Sequence, residues 1–96
     1  MTMQTLALWI NGQRAQSSSN RLGEVHNPAT GAVLRQVPLA NGEDVNRAVA
    51  AAKAAFPNWR DTPPLRRSRI LNKFRELLET HRAELAQLAS EEHGKT

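Results

Sequence analysis

Residue types that could do chemistry are few in this chain, and their spacing does not bring them together. The sequence closes on Glu91-Glu92-His93-Gly94-Lys95-Thr96, and its Gly-Lys-Thr wording invites comparison with a phosphate-binding loop. Such a loop needs a glycine five positions before Gly94, where Ala89 stands, and it opens a helix after a strand instead of closing one. Gly94 therefore reads as a helix C-terminal cap, with Lys95 placed favourably beside the negative end of the helix dipole. His26, His81 and His93 match no short metal-ligand spacing, and there is no cysteine to complete a set. Glu91 and Glu92 are adjacent, so on a helix they point about 100° apart and read as solvating groups, not an acid/base pair. Ser17, Ser18 and Ser19 belong to a polar run that reads as a loop, without the base and strained turn that a nucleophilic serine needs. The assignment within the segment is therefore: catalytic none, cofactor-binding none, metal none.

The absence of cysteine excludes disulfides, thiolate ligands and a cysteine nucleophile from these residues. A composition of 40% hydrophobic and 23% charged residues reads as soluble and globular. No apolar run approaches the roughly 20 residues needed to cross a bilayer. Met1 to Ile10 lacks a basic start and a cleavage site, so no secretory signal is expected and a cytoplasmic location is. The net charge of +4, from 13 basic against 9 acidic residues, is read as solvated surface, because 4% aromatic residues and no reading motif argue against nucleic acid.

One charge run resists that reading. Arg66, Arg67, Arg69, Lys73 and Arg75 crowd the first part of a helical stretch whose acids, Glu76 and Glu79, come last. The macrodipole favours the opposite order by about 0.3 to 1 kcal/mol per exposed charge. Lys73 can pair with Glu76 and Arg75 with Glu79, but Arg66, Arg67 and Arg69 have only Asp61 nearby. These arginines are expected to meet carboxylates elsewhere in a larger protein or another subunit, with plain solvation and polyanion binding as the alternatives.

The elements that carry these residues can be read from periodicity. Leu6 to Ile10 alternates, Asn11-Gly12 suits a two-residue turn, and Gln13 to Ser17 returns. Gly23 to His26 leads into Asn27-Pro28-Ala29-Thr30-Gly31, and Ala32 to Val37 forms the return strand, closed by Pro38. From Asn41, an N-cap with Asp44 near the positive end of the dipole, the period becomes helical through Val45, Ala48, Val49, Ala52 and Phe56. Pro57 is expected to end this helix, and Thr62-Pro63 to start another. The second carries the stripe Ile70, Leu71, Phe74, Leu77 and Leu78, and the third follows a break near Thr80-His81. The expected architecture is α+β: two hairpins over 6–38, then helices at about 42–56, 63–80 and 82–93, with no internal repeat or linker.

Trp9-Ile10-Asn11-Gly12, the Val25 to Gly31 turn, Val33 to Pro38, Ala54-Ala55-Phe56-Pro57-Asn58-Trp59 and Glu92 to Thr96, in this order, resemble the opening segment of the aldehyde dehydrogenase superfamily. Phe56 to Pro64, Arg69-Ile70-Leu71 and His93 to Thr96 are most similar to its CoA-acylating methylmalonate-semialdehyde dehydrogenase branch. The resemblance covers Leu8 to Thr96 and implies that residues 1–96 are an incomplete part of a cofactor domain in an α/β fold. It implies a cysteine nucleophile, hydride transfer to NAD, and a thioester resolved by water or, in this branch, by CoA. All those groups would lie downstream. The chain is thus expected to be a truncated N-terminal portion that binds no cofactor, is inactive alone, and packs against the remainder of the parent enzyme or other subunits of a homo-oligomer. The alternative is a stand-alone basic helical module that binds nucleic acid or an acidic protein. The helical stripes need a covering surface, so partial melting or self-association is expected of the isolated chain.

Overall fold

The structure, a computed structural model, describes residues 3–94. Lys95 and Thr96, and with them the Lys95 dipole reading, lie outside the described residues. The first hairpin joins β1 (Leu8–Ile10) to β2 (Gln13–Ala15), with Leu8 opposite Ala15 and Ile10 opposite Gln13. Asn11 and Gly12 have φ of 56° and 73°, the positive values that a type I′ turn needs at both centres. The return strand stops at Ala15, two residues short of its expected end, because Gln16 and Ser17 turn toward a helix.

The second hairpin joins β3 (Leu22–His26) to β4 (Val33–Pro38), in register from Leu22 opposite Pro38 to Val25 opposite Arg35, after which the pairing slips. Asn27 organises its turn. Its side-chain oxygen accepts from the Ala29 amide at 2.9 Å, and its carbonyl accepts from the Gly31 amide at 2.7 Å. The segment before β1 runs alongside the free edge of β4: the Leu6 amide donates to the Gln36 carbonyl at 2.8 Å, and the Gln36 amide to the Gln4 carbonyl at 2.9 Å. That parallel bridge ties the hairpins together, and no short-range pattern in the sequence signals it.

Helix α1 runs from Gly42 to Asp61, through Pro57, so the expected end at Phe56 is corrected. Proline disfavours the helical region for the residue before it without forbidding it, and removes a single amide donor. The turn beyond is closed by Thr62, whose amide donates to the Trp59 carbonyl at 3.2 Å and whose hydroxyl donates to the Asn58 carbonyl at 2.6 Å. Arg60 also lies over the Phe56 ring, 5.6 Å from its centre. Helix α2 is Pro64–Thr80: Pro63 is the cap residue and Pro64 the first helical one, a shift of one from the expected start. Helix α3, Arg82–His93, follows a one-residue break at His81 and ends on Gly94 at φ 77°, as the cap reading expects.

Helix α1 starts on a polar cluster. The Asn41 side chain accepts from the Asp44 amide at 2.9 Å, and the Asp44 carboxylate accepts from the Asn41 amide at 3.2 Å, a reciprocal capping box. The same carboxylate also accepts from the Ser17 hydroxyl, the Ser18 amide at 2.9 Å, and Arg47 at 3.0 Å. Arg47 in turn donates to the Gln16 carbonyl at 2.7 Å. The serine run expected as a loop is thus a strap fixed to the helix start.

Asp44, 2% exposed, is the only buried side chain among the described residues, and no apolar side chain there is buried. Val45, Val49 and Phe56 on α1, Leu71 and Phe74 on α2, and Leu88 on α3 all face solvent. The radius of gyration is 17.1 Å, against about 12 to 13 Å for a compact chain of this length. The globular reading of the composition therefore fails for the isolated chain. Its apolar residues are numerous enough for a core, but none among the described residues is fully enclosed.

Ser17 first, then the Ser18 amide, hold the Asp44 carboxyl well below the usual carboxylate range, against the opposing push of burial. A carboxyl depressed on folding contributes stability above its unfolded pKa of about 3.9, and that contribution fades as pH falls below it toward the folded value. The Ser18 and Asp44 amide resonances should hold steady from neutral pH through the ordinary carboxylate range, about 4, and shift only well below it. D44N should remove that acid response and loosen the strap at neutral pH; an unchanged titration in D44N would show that another group is responsible. Asn41→Ala should cost about 1 kcal/mol of helix-start protection in amide exchange.

Candidate functional site

The residues singled out by type are dispersed. His26 sits on β3, His93 ends α3, and the His81 Nδ1 lies 3.2 Å from Glu84 Oε2. Among the described residues, no group of three or more histidine, aspartate or glutamate side chains could hold a metal ion. Ser17 and Ser18 are committed to Asp44. The structure instead brings together two arrangements, one charged junction and one open face.

Glu91 and Glu92, read as solvating groups, meet a common partner. Arg35 on β4 donates through Nη1 to Glu92 at 2.9 Å and through Nη2 to Glu91 at 3.3 Å. Adjacent helical positions splay two carboxylates too far apart for one substrate atom, but a planar guanidinium can reach both. Arg35 is only 14% exposed, so the junction is partly shielded from water. It carries a signal that could have been read: Arg35 shares a strand face with Val33 and Val37, and a charge on such a face needs a partner. Beside it, the end of α3 rests on the Asn27-Pro28-Ala29 turn so closely that a Cβ on Gly94 would lie 3.0 Å from that of Pro28. Positive φ and close approach together require glycine there.

The basic part of α2 forms the open face. Arg66, Arg69 and Lys73 line a shallow groove with Pro63, Leu65 and Ile70. Lys73 pairs with Glu76 at 3.5 Å, but Glu79 lies near Arg82 at 4.0 Å, not Arg75. Arg66, Arg67 and Arg69 form no ion pair among the described residues, so nothing in the segment offsets their unfavourable order along the helix.

A dinucleotide pyrophosphate is held where a strand of a parallel sheet ends in a glycine-rich turn and a helix begins with free amides. Both strand pairs here are antiparallel hairpins. The start of α1 already holds the Asp44 carboxylate, α2 opens on Pro63-Pro64 without amide hydrogens, and α3 continues from α2. The described residues do not fit a nicotinamide dinucleotide.

Comparison with known proteins places these elements in a larger frame. The profile of the aldehyde dehydrogenase family matches residues 14–96. Malonate-semialdehyde dehydrogenase of Pseudomonas aeruginosa is 47% identical over 94 residues, covering 98% of this chain and 19% of the relative. Malonate-semialdehyde dehydrogenase 1 of Geobacillus thermodenitrificans is 51% identical over the same length and shares. Among solved structures, methylmalonate-semialdehyde dehydrogenase of Oceanimonas doudoroffii superposes with a TM-score of 0.90 at 46% identity, over 95% of this chain and 18% of that one. An aldehyde dehydrogenase of Mycobacterium tuberculosis, in complex with NAD+, does so at 0.84 and 33% identity, over 94% and 19%. The chain spans about a fifth of the length of the curated relatives it matches. The two hairpins and three helices recur in that order in these enzymes, and the chain belongs to the aldehyde dehydrogenase family.

Proposed function

We propose that this chain serves as the scaffold segment of a cytoplasmic, NAD-dependent malonate- or methylmalonate-semialdehyde dehydrogenase that passes its acyl group to CoA. The segment carries no reacting group. The thiol, the general base and the nucleotide cradle belong to the other four fifths of such an enzyme. The observation that carries this reading is the end-to-end likeness to semialdehyde dehydrogenases at 47% identity, over 98% of this chain but 19% of theirs. The open apolar faces of α1, α2 and α3 support it, because they are what a scaffold shows when the surface it packs on is missing. Its partners would be that surface and, through it, the other subunits of a homo-oligomer.

The groove of Arg66, Arg69 and Lys73 favours a second reading, a basic module that binds nucleic acid. Counterion release would make such binding steeply salt-dependent. The first reading expects no salt-dependent shift in an RNA or DNA titration.

Purified chain given malonate semialdehyde and NAD, with or without CoA, should produce no NADH. A chimera in which residues 1–96 replace the corresponding fifth of the Pseudomonas aeruginosa enzyme should be soluble and should produce it. NADH formation by the isolated chain, or an insoluble or inactive chimera, would end this proposal.

A further inference from the structure

Arg67 is the exceptional residue of α2. Every other residue of that helix is exposed, its leucines and phenylalanine included, whereas Arg67 is half-buried. Its Nε atom is closed off from solvent and has no hydrogen-bond partner among the described residues. Arg66 and Arg69 point elsewhere: at about 100° per residue they lie roughly 100° and 160° around the helix from Arg67, where they line the open groove.

Arg67 stands four residues before Leu71, seven before Phe74 and eleven before Leu78, spacings that place all four on one helical face. That face is uncovered, with Leu71 58%, Phe74 57% and Leu78 43% exposed. Any apolar surface laid over it encloses a cationic guanidinium that has donors but no acceptor. An enclosed and unpaired charge is among the most destabilising features an interface can contain. The covering surface must therefore bring acceptors to this one position, and a carboxylate supplies both the charge and the oxygens that the terminal guanidinium nitrogens need.

We propose that Arg67 is the polar anchor of an otherwise apolar interface on α2, and that it receives a carboxylate from the remaining four fifths of an aldehyde dehydrogenase. This inference rests on the scaffold reading above. Charge complementarity and length both point to that occupant: Arg67 lacks a carboxylate partner among the described residues, and 81% of the relatives' length lies outside the matched stretch, the complement of the 19% covered. Arg67 sets the register at which the apolar surfaces meet, while Arg66 and Arg69 stay in solvent.

The test measures each substitution in two contexts, the isolated chain and the chimera with the Pseudomonas aeruginosa enzyme. R67M should leave the far-UV dichroism and urea unfolding of the isolated chain unchanged, because its partner is absent there. In the chimera R67M should lower the thermal midpoint by about 3 °C or more, R67K should recover part of that loss, and R66Q and R69Q should each stay within about 1 °C. Loss of helix in the isolated R67M chain would assign Arg67 to internal structure and overturn the anchor. So would a chimera indifferent to R67M, or one as sensitive at Arg66 and Arg69. An unmutated chimera that is insoluble or inactive sinks the scaffold reading itself, and the anchor with it, which separates the two failures.

Discussion

The Asp44 carboxylate is the constraint on which the rest of this segment depends. One side chain completes the cap of α1, fixes the Ser17-Ser18 strap and orients Arg47 toward the Gln16 carbonyl. The strap follows β2 directly, so the carboxylate also decides where the first hairpin lies relative to α1, with Trp9 and the Asn11-Gly12 turn beside the small Ala48 and Ala52 side chains. A buried carboxylate without donors would be costly, whereas one met by hydroxyl, amide and guanidinium hydrogens is well satisfied and directional. Directionality matters here because the described residues contain no buried apolar side chain to set the geometry by packing.

The far end of the segment is governed by the same kind of chemistry. Arg35 gathers Glu91 and Glu92, and Gly94 lets α3 close against Pro28. The helices between these two polar junctions have little to hold them. Apolar burial is the dominant favourable contribution in most domains, at roughly 25 cal/mol per Å², and the described residues leave much of it unrealised. Its side chains are apolar at helical spacing because they are built to pack, and the covering surface belongs to the larger enzyme in the scaffold reading.

What could be read from the sequence was local. Asn11-Gly12, the Asn27 to Gly31 turn, Asn41 and Gly94 each act within a few residues, through positive φ or a side chain that satisfies a nearby amide. Pro57 misled because a proline disfavours helix around it without forbidding it, and Thr62 closes the turn that follows. Ser17 with Asp44, and Arg35 with Glu91 and Glu92, escaped notice because they join residues 27 and more than 50 positions apart, where no periodicity reports on contact. The family wording reached further than the physics of the segment, since it pointed to chemistry that the scaffold reading assigns to other parts of the enzyme.

The open helical faces also bear on how such a protein is made. In the scaffold reading, a ribosome that has delivered these helices before their covering surface exists holds a nascent chain with leucines and phenylalanines in water. During that interval the chain offers itself to chaperones and to its neighbours on the same polysome. The polar junctions at Asp44 and Arg35 can form without the missing surface, and so can keep the hairpins and helix ends in order while synthesis continues.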